Sequence, residues 1–330
     1  MTATALIIGI SGNIGTATAA AFLAHGWRVR ALARDVASAR RDLPFGERVD
    51  WRQGDALDRD DMVQAAAGAD VILHAANPPG YRRWRELALP MLDNAIAAAG
   101  ASGARLLFPG NIYPYGPDAW PVLPEDAPQH PVSRKGRIRV EMEQRLRAAA
   151  GRGVRSLILR AGDYFGSARD SSWLGAVMVK PGRRVTAVTY PGDPGVGHAW
   201  AYLPDVAETF VRLAARDAAL EPFERIHFAG HHLDPGGAMV EAIRRAVGKA
   251  VPMRRLPWWL LKPVMPFNET LREAAEMRYL WFNDIALDNT RLVELLGDEP
   301  RTPLDTAVAE TLGRMGCLDP RTEDAAAKSG

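Results

Sequence analysis

Ala5-Leu-Ile-Ile-Gly-Ile-Ser-Gly-Asn-Ile-Gly15 runs directly into Thr16-Ala-Thr-Ala-Ala-Ala-Phe-Leu-Ala24, with Gly26 just beyond. The apolar, β-branched run up to Ile8 reads as a buried strand. Gly9, Gly12 and Gly15 mark a turn where backbone must approach a ligand, and Thr16 to His25 reads as a helix whose N-terminus points back at that turn. Free N–H groups and the positive end of the helix dipole suit a pyrophosphate there, and Gly15 lets helix and strand pack closely. The cradle residues are then Gly9, Ser11, Gly12, Asn13, Ile14 and Gly15. A second strand at Trp27-Arg-Val-Arg-Ala-Leu-Ala33 completes a βαβ unit, the context in which glycines at this spacing bind a dinucleotide.

The remainder of the chain is ordinary for a packed α/β protein. Its 330 residues are 47% hydrophobic, enough for a doubly wound domain and a smaller one. Interspersed charges, 41 basic against 39 acidic, form no basic face for nucleic acid. A single cysteine, Cys317, excludes an internal disulfide and fits a reducing compartment. No apolar run approaches the roughly 18 residues that span a membrane, and the N-terminus lacks a signal-peptide pattern, so a cytoplasmic protein is expected. A homodimer is compatible with this composition.

Past the second strand stand Arg34-Asp35, a basic helical patch to Arg41, and a third strand at 48–52 leading into Gly54-Asp55. Arg34 takes the place beside the adenosine ribose where an NAD-preferring site carries a carboxylate, so NADP(H) is expected. NAD(H) would be the cofactor if Asp35 turned inward instead. Asp55 reads as a cap for a helix over 58–67. The fourth strand, Asp70 to Ala76, ends in Asn77-Pro-Pro-Gly80, and its His74 reads as a core residue. A helix over 82–99 and a fifth strand at 104–108 follow. A sixth strand spans 154–160, Asp205 reads as the N-cap of a helix over 206–215, and a last sheet strand spans 225–229.

Six segments in this order resemble the short-chain dehydrogenase/reductase superfamily, in its extended, epimerase/dehydratase-like form. They are the glycines at 9, 12 and 15, Asp70-Val-Ile-Leu-His-Ala-Ala76, Tyr115-Gly116, Leu159-Arg-Ala-Gly-Asp-Tyr-Phe-Gly166, His198-Ala-Trp-Ala-Tyr-Leu-Pro-Asp205-Val-Ala, and the tail Leu295 to Leu304. The resemblance implies a doubly wound parallel sheet with a smaller, mainly helical C-terminal substrate domain. Residues 1–165 with the returning segment 198–230 would bind the dinucleotide, and 166–197 with 231–330 would bind substrate. It also implies that Asp55 borders the adenine and that Ala75, Ala76 and Asn77 lie along the cofactor.

The catalytic pattern of that family is where the chain departs. Aligning Tyr115-Gly116 with the family's Tyr-Gly puts Asn111 where the catalytic serine belongs. Counting back four from Lys135 gives Pro131, and pairing Glu141 with the family's helix glutamate puts Arg137 at the lysine and Ser133 at the tyrosine. Neither register yields Tyr-x-x-x-Lys. What remains implied is hydride chemistry in which Asn111 holds a substrate oxygen, Tyr115, Tyr113 or Tyr164 supplies a phenol, and Lys135 or Arg137 contacts ribose and lowers that phenol's pKa. Trp120, Tyr164, Phe165, Trp173, Trp200 and Tyr202 are expected to line the substrate site, suiting a small apolar or aromatic carbonyl or alcohol. A sugar-type epimerase or dehydratase and a non-catalytic dinucleotide sensor are the alternatives. No metal-ligand cluster is present in the sequence.

Overall fold

The computed structural model describes residues 2–78, 83–168, 172–261, 263, 265 and 268–319. The predicted turn through Gly80, the helix start at Arg82 and residues 169–171 of the predicted insert lie outside them.

Short apolar runs flanked by glycine and aspartate become strands: β1 Thr4–Ile8, β2 Arg28–Ala33, β3 Val49–Gln53, β4 Val71–His74 and β5 Arg105–Asn111. They alternate with α1 Asn13–Ala24, α2 Val36–Asp42, α3 Arg59–Ala66 and α4 Trp84–Ser102. Next come β6 Val122–Leu123, α5 Arg134–Ala150, β7 Ser156–Ala161, β8 Asp163–Phe165, β9 Val188–Tyr190, β10 His198–Tyr202 and α6 Leu203–Ala214. The chain continues through β11 Phe223–His227, β12 His231–Leu233, α7 Ala238–Val247, β13 Met253–Arg255, α8 Trp258–Leu261 and α9 Glu269–Glu276. It closes with β14 Ala286–Leu287, α10 Thr290–Leu296 and α11 Leu304–Arg314.

Seven parallel strands form the central sheet in the order β11-β7-β5-β4-β1-β2-β3. Helices cover both faces, as a sheet of continuous apolar strands requires. One face packs Phe22, Leu73, Leu159 and Phe210, the other Met62, Leu92, Phe108 and Leu146. Strand order reverses between β1 and β4, the switch point outside whose strand ends a doubly wound sheet binds its ligand. The smaller C-terminal part is less purely helical than expected, because it also contributes β9, β12, β13 and β14 to small sheets. Its own core gathers Phe165, Tyr190, Trp200, Tyr202, Ile243, Trp281 and Leu312.

Two boundaries differ from the sequence reading in ways that bear on the site. Strand β5 runs three residues beyond Phe108, because Pro109, Gly110 and Asn111 pair with Leu159, Arg160 and Ala161 of β7. Asp205 is not an N-cap: α6 begins at Leu203, and the Asp205 carboxylate accepts from Thr302 N (2.8 Å) and Thr302 Oγ1 (2.7 Å), latching the C-terminal tail.

Behind the end of β5 lies a buried polar network. The Arg160 guanidinium, fully buried, makes two bonds to the Glu143 carboxylate (2.8 and 2.9 Å) and a third to the Asn111 carbonyl. Its Nε donates to His227 Nε2 (3.2 Å), while His227 Nδ1 lies 3.0 Å from the Leu123 carbonyl. That arrangement fixes a neutral imidazole with the proton on Nδ1. Burial pushes the His227 pKa down to about 3, and Arg160 adds to the shift. His74 is also buried, its two ring nitrogens unpartnered among the described residues, and burial with help from Arg139 lowers its pKa from 6.5 to about 4.

A histidine that is neutral when folded binds a proton more readily in the unfolded chain. Its stabilisation is therefore full above the ordinary pKa and is lost as pH falls toward the folded one. For His74 the loss between pH 8 and pH 5 is about 2 kcal/mol. Urea unfolding of His74→Leu should lose about that much less stability over this range than wild type. Parallel pH curves for the two proteins would contradict the buried neutral state.

Candidate active site

The glycine turn has the shape that its sequence suggests. Gly9 has φ of +87°, a conformation that favours glycine, and a Cβ there would lie 2.6 Å from Ala76 N. The loops after β1 and β4 therefore touch, bringing Ala75 and Ala76 beside the cradle. A Cβ on Gly15 would lie 2.2 Å from Gly9 O. At Gly12, the N-cap of α1, an added Cβ meets only Gly9 O at 3.3 Å, and its side faces open space. No side chain caps α1 and its first turn holds no acid, so the N–H groups at its start and the helix dipole remain available to an anion. Ser11 and Gly12 are exposed, while Asn13 and Ile14 are half-buried. Asn13 Oδ1 accepts from Ser167 Oγ (2.7 Å), tying the loop after β8 to this turn. These features fit the pyrophosphate of a dinucleotide.

At the adenosine end, β2 stops at Ala33 and the Asp35 side chain accepts from Ser38 N (2.9 Å) as the cap of α2. Asp35 is thus committed to a helix, and Arg34, exposed, is the first side chain past the strand. Arg40 pairs with Glu47, away from such a role. Asp55 is not the helix cap either. Asp58 accepts from Asp60 N and Asp61 N at the start of α3, whereas Asp55 Oδ1 accepts from Leu57 N (3.0 Å) in the half-buried turn after β3. Asn77 is exposed, and its Oδ1 accepts from Trp84 Nε1.

The proposed chemistry residues do not all meet at the strand ends. Asn111 ends β5, half-buried, and its Oδ1 accepts from Tyr113 N (3.1 Å), which leaves the amide nitrogen as the donor for another oxygen. Tyr164 is beside it, but its hydroxyl donates to Gly110 O (3.0 Å), and burial raises its pKa. Tyr115 is in the core instead. It is fully buried, its hydroxyl 3.2 Å from His227 Nε2 and its ring 4.7 Å from the Arg160 guanidinium carbon. Arg137 projects to solvent from the outer face of α5.

Lys135 is not a solvated residue. It is 4% exposed, with Nζ 3.6 Å from Glu273 Oε2 and donating to Glu273 O (3.3 Å), so it fastens α5 to α9. Burial lowers its pKa and Glu273 opposes the shift. Ser133 caps α5 by accepting from Gly136 N (2.9 Å). Of the expected lining, Phe165, Trp200 and Tyr202 are core residues, and the Tyr202 hydroxyl bonds Glu310 (2.5 Å). Trp120 and Trp173 remain half-buried, Trp120 stacked on Tyr279 (5.8 Å between centroids).

One cation that the alignment overlooked does face the strand ends. Arg139, one helical turn after Lys135, holds its guanidinium over Trp84 and Phe108 (5.1 and 5.3 Å), and its Nη1 donates to Pro109 O (3.4 Å). Its charge is felt at both His74 and Tyr164. The inward face of α5 carries Lys135, Arg139 and Glu143 at four-residue steps, so the buried glutamate is Glu143 and not Glu141. The available signal was the four-residue spacing of Lys135, Arg139 and Glu143, which puts all three on one face of a helix.

A glycine cradle on βαβ at the switch point of a doubly wound sheet defines a Rossmann dinucleotide-binding protein. The sequence profile of the NAD dependent epimerase/dehydratase family matches residues 5–228, and the chain belongs to that family. Solved structures share the fold. A Burkholderia cenocepacia J2315 protein is 19% identical, with a TM-score of 0.77, over 95% of this chain and 98% of that one. The UDP-N-acetylglucosamine 4-epimerase of Bacillus cereus is 14% identical (TM-score 0.72; 95% and 99% covered). The UDP-glucose 4-epimerase of Bifidobacterium longum, solved with NAD+ and UDP, is 17% identical (TM-score 0.70; 94% and 97% covered). No curated protein matches the chain in sequence. Among the described residues no group of histidine, cysteine and acidic side chains could hold a metal, and no helix is long and apolar enough to cross a membrane.

The two glycines should separate binding from folding. Gly12→Val should fold with a near-wild-type melting temperature and lose dinucleotide affinity, whereas Gly15→Val, whose side chain meets backbone, should fail to fold. Calorimetric melting with cofactor titration checks both. Undiminished affinity in Gly12→Val would place the phosphate cradle elsewhere.

Proposed function

We propose that the chain is an NADP(H)-dependent oxidoreductase acting on a small apolar or aromatic carbonyl or the corresponding alcohol, in the cytoplasm. The observation that carries the cofactor reading is the capture of Asp35 by the α2 N-terminus, which leaves Arg34 as the side chain beside the ribose. A guanidinium there can grip a 2′-phosphate with two charge-assisted bonds. Residues 1–165 with 198–230 hold the cofactor, and 166–197 with 231–330 close the substrate cleft.

A nicotinamide dinucleotide bound there supplies or accepts a hydride. The glycine turn holds its pyrophosphate, Arg34 and Asp55 flank the adenosine, and Ala75, Ala76 and Asn77 lie along it. Arg139 takes the ribose-facing place first considered for Lys135 and Arg137. The Asn111 amide nitrogen holds the substrate oxygen, and the half-buried rings of Trp120 and Trp173 offer an aromatic wall. A second reading, an epimerase acting on a nucleotide sugar, is favoured by the fold shared with the sugar-nucleotide epimerases of Bacillus cereus and Bifidobacterium longum.

Titration at fixed ionic strength should show tighter binding of NADPH than NADH. Arg34→Ala should weaken NADPH by about 10- to 100-fold and leave NADH nearly unchanged. Equal losses for both cofactors would return the ribose to Asp35. Absorbance of the reduced nicotinamide with aldehydes, ketones and quinones, beside conversion of UDP-sugars, separates the two activities. Tight binding without turnover on any of them would favour a sensor. On the preferred substrate Asn111→Ala should lower turnover by about 10²–10³ with little change in cofactor affinity, and an unchanged turnover number would remove Asn111 from the site.

A further inference from the structure

In the oxidoreductase reading three phenols are engaged elsewhere: the hydroxyls of Tyr164 and Tyr202 are spent on Gly110 O and Glu310, and Tyr115 is sealed in the core. We propose that the donor is His198, oriented by Asp163, in a carboxylate–imidazole pair where the substrate lobe meets the ends of the central sheet.

The pair is built by strand register. Asn111 of β5 lies opposite Ala161, the last residue of β7. The chain bends at Gly162, where an added Cβ would be 2.3 Å from Ala199 O, so β10 passes directly against the end of β7. Asp163, the next residue, is level with Trp200 of β10, and its Oδ2 lies 2.9 Å from His198 Nε2. Asn111 and the β10 backbone at His198 are therefore about two strand spacings apart, roughly 10 Å, a span that the two side chains and one small substrate would fill.

The imidazole is held in orientation as well as in place. It lies flat on Trp281, with centroids 3.9 Å apart and planes 16° apart, and packs edge-on to Trp200 at 5.2 Å. With Nε2 directed at the carboxylate, Nδ1 is the nitrogen left to face a substrate. His198 is 4% exposed, and the Asp163 side chain 13%, so the carboxylate acts where water screens it little. A carboxylate on one ring nitrogen sets the tautomer and the ring's orientation, an arrangement that recurs where histidine moves a proton in catalysis.

The step balances with a reduced nicotinamide dinucleotide as the two-electron donor. As the substrate carbonyl carbon gains hydride, the electron pair of the C=O π bond moves to oxygen, held by Asn111. That oxygen takes the proton carried on Nδ1 by the doubly protonated His198 ring, which is left neutral with its remaining proton on Nε2 and takes the next proton from solvent at Nδ1. Oxidation of the alcohol is the reverse.

This proposal rests on the oxidoreductase reading, so the test separates the two. His198→Asn should bind NADPH within about twofold of wild type and reduce the preferred carbonyl 10²–10⁴-fold more slowly, with Asp163→Asn affected in the same direction. Tyr113→Phe and Tyr279→Phe are the rival phenols. Wild-type turnover that survives His198→Asn, or that falls instead in either phenol variant, overturns the proposal and leaves the oxidoreductase reading standing. A wild type that binds no dinucleotide overturns that reading. Independently of any substrate, the tautomer of His198 can be read by NMR on the full chain. Its long-range ¹H–¹⁵N spectrum should place the neutral-ring proton on Nε2. A His198 carrying its proton on Nδ1 with Nε2 bare overturns the proposal whatever the activity of the variants.

Discussion

The buried ion pair between Arg160 and Glu143 is the constraint on which the site depends. Two charges out of water cost several kcal/mol each, and only complete hydrogen bonding makes their burial tolerable. Here the guanidinium meets that demand by bonding Glu143 twice, the Asn111 carbonyl and His227 Nε2, while Gln129 Nε2 donates to the remaining side of the carboxylate (2.6 Å). Because the pair joins α5 to β7 and reaches across to β5, three elements are held in one register. Asn111 therefore inherits its position from a charge that it never touches with its own side chain.

That coupling explains why nucleotide and chemistry ends of the site were unequally legible. The phosphate cradle is local in sequence: strand, glycines and helix are adjacent, and each glycine has a steric reason that can be read from spacing. That Asn111 sits at the end of a sheet strand agrees with its offset from Tyr115-Gly116. Tyr115 itself was not legible, because nothing in its own neighbourhood tells a strand-end phenol from one swallowed by a network that Arg160 and His227 supply from 45 and 112 residues downstream.

Helix α5 shows the same limit in a second form. Glu141 and Glu143 are equally plausible anchors on a highly charged helix, and the choice between them rotates the inward face. With Glu143 buried against Arg160, the cations turned inward are Lys135 and Arg139, and Arg137 falls on the wet side. Asp163 and His198 escaped notice because their pairing exists only once β8 and β10 lie side by side, 35 residues apart in the chain. Asp55 and Asp205, read as helix caps, accept from Leu57 and Thr302 instead, while Asp35, read only as a ribose candidate, is the one that caps a helix.

The clasp between Lys135 and Glu273 has a consequence for assembly. The partners are separated by 138 residues, so the contact closes one of the longest loops in the chain. Until α9 is in place, the first turn of α5 would bury an ammonium with no carboxylate opposite, an arrangement that favours leaving that turn unformed. The nucleotide-binding half can organise early from neighbouring βα units, whereas the floor of the cleft waits for the far end of the polypeptide.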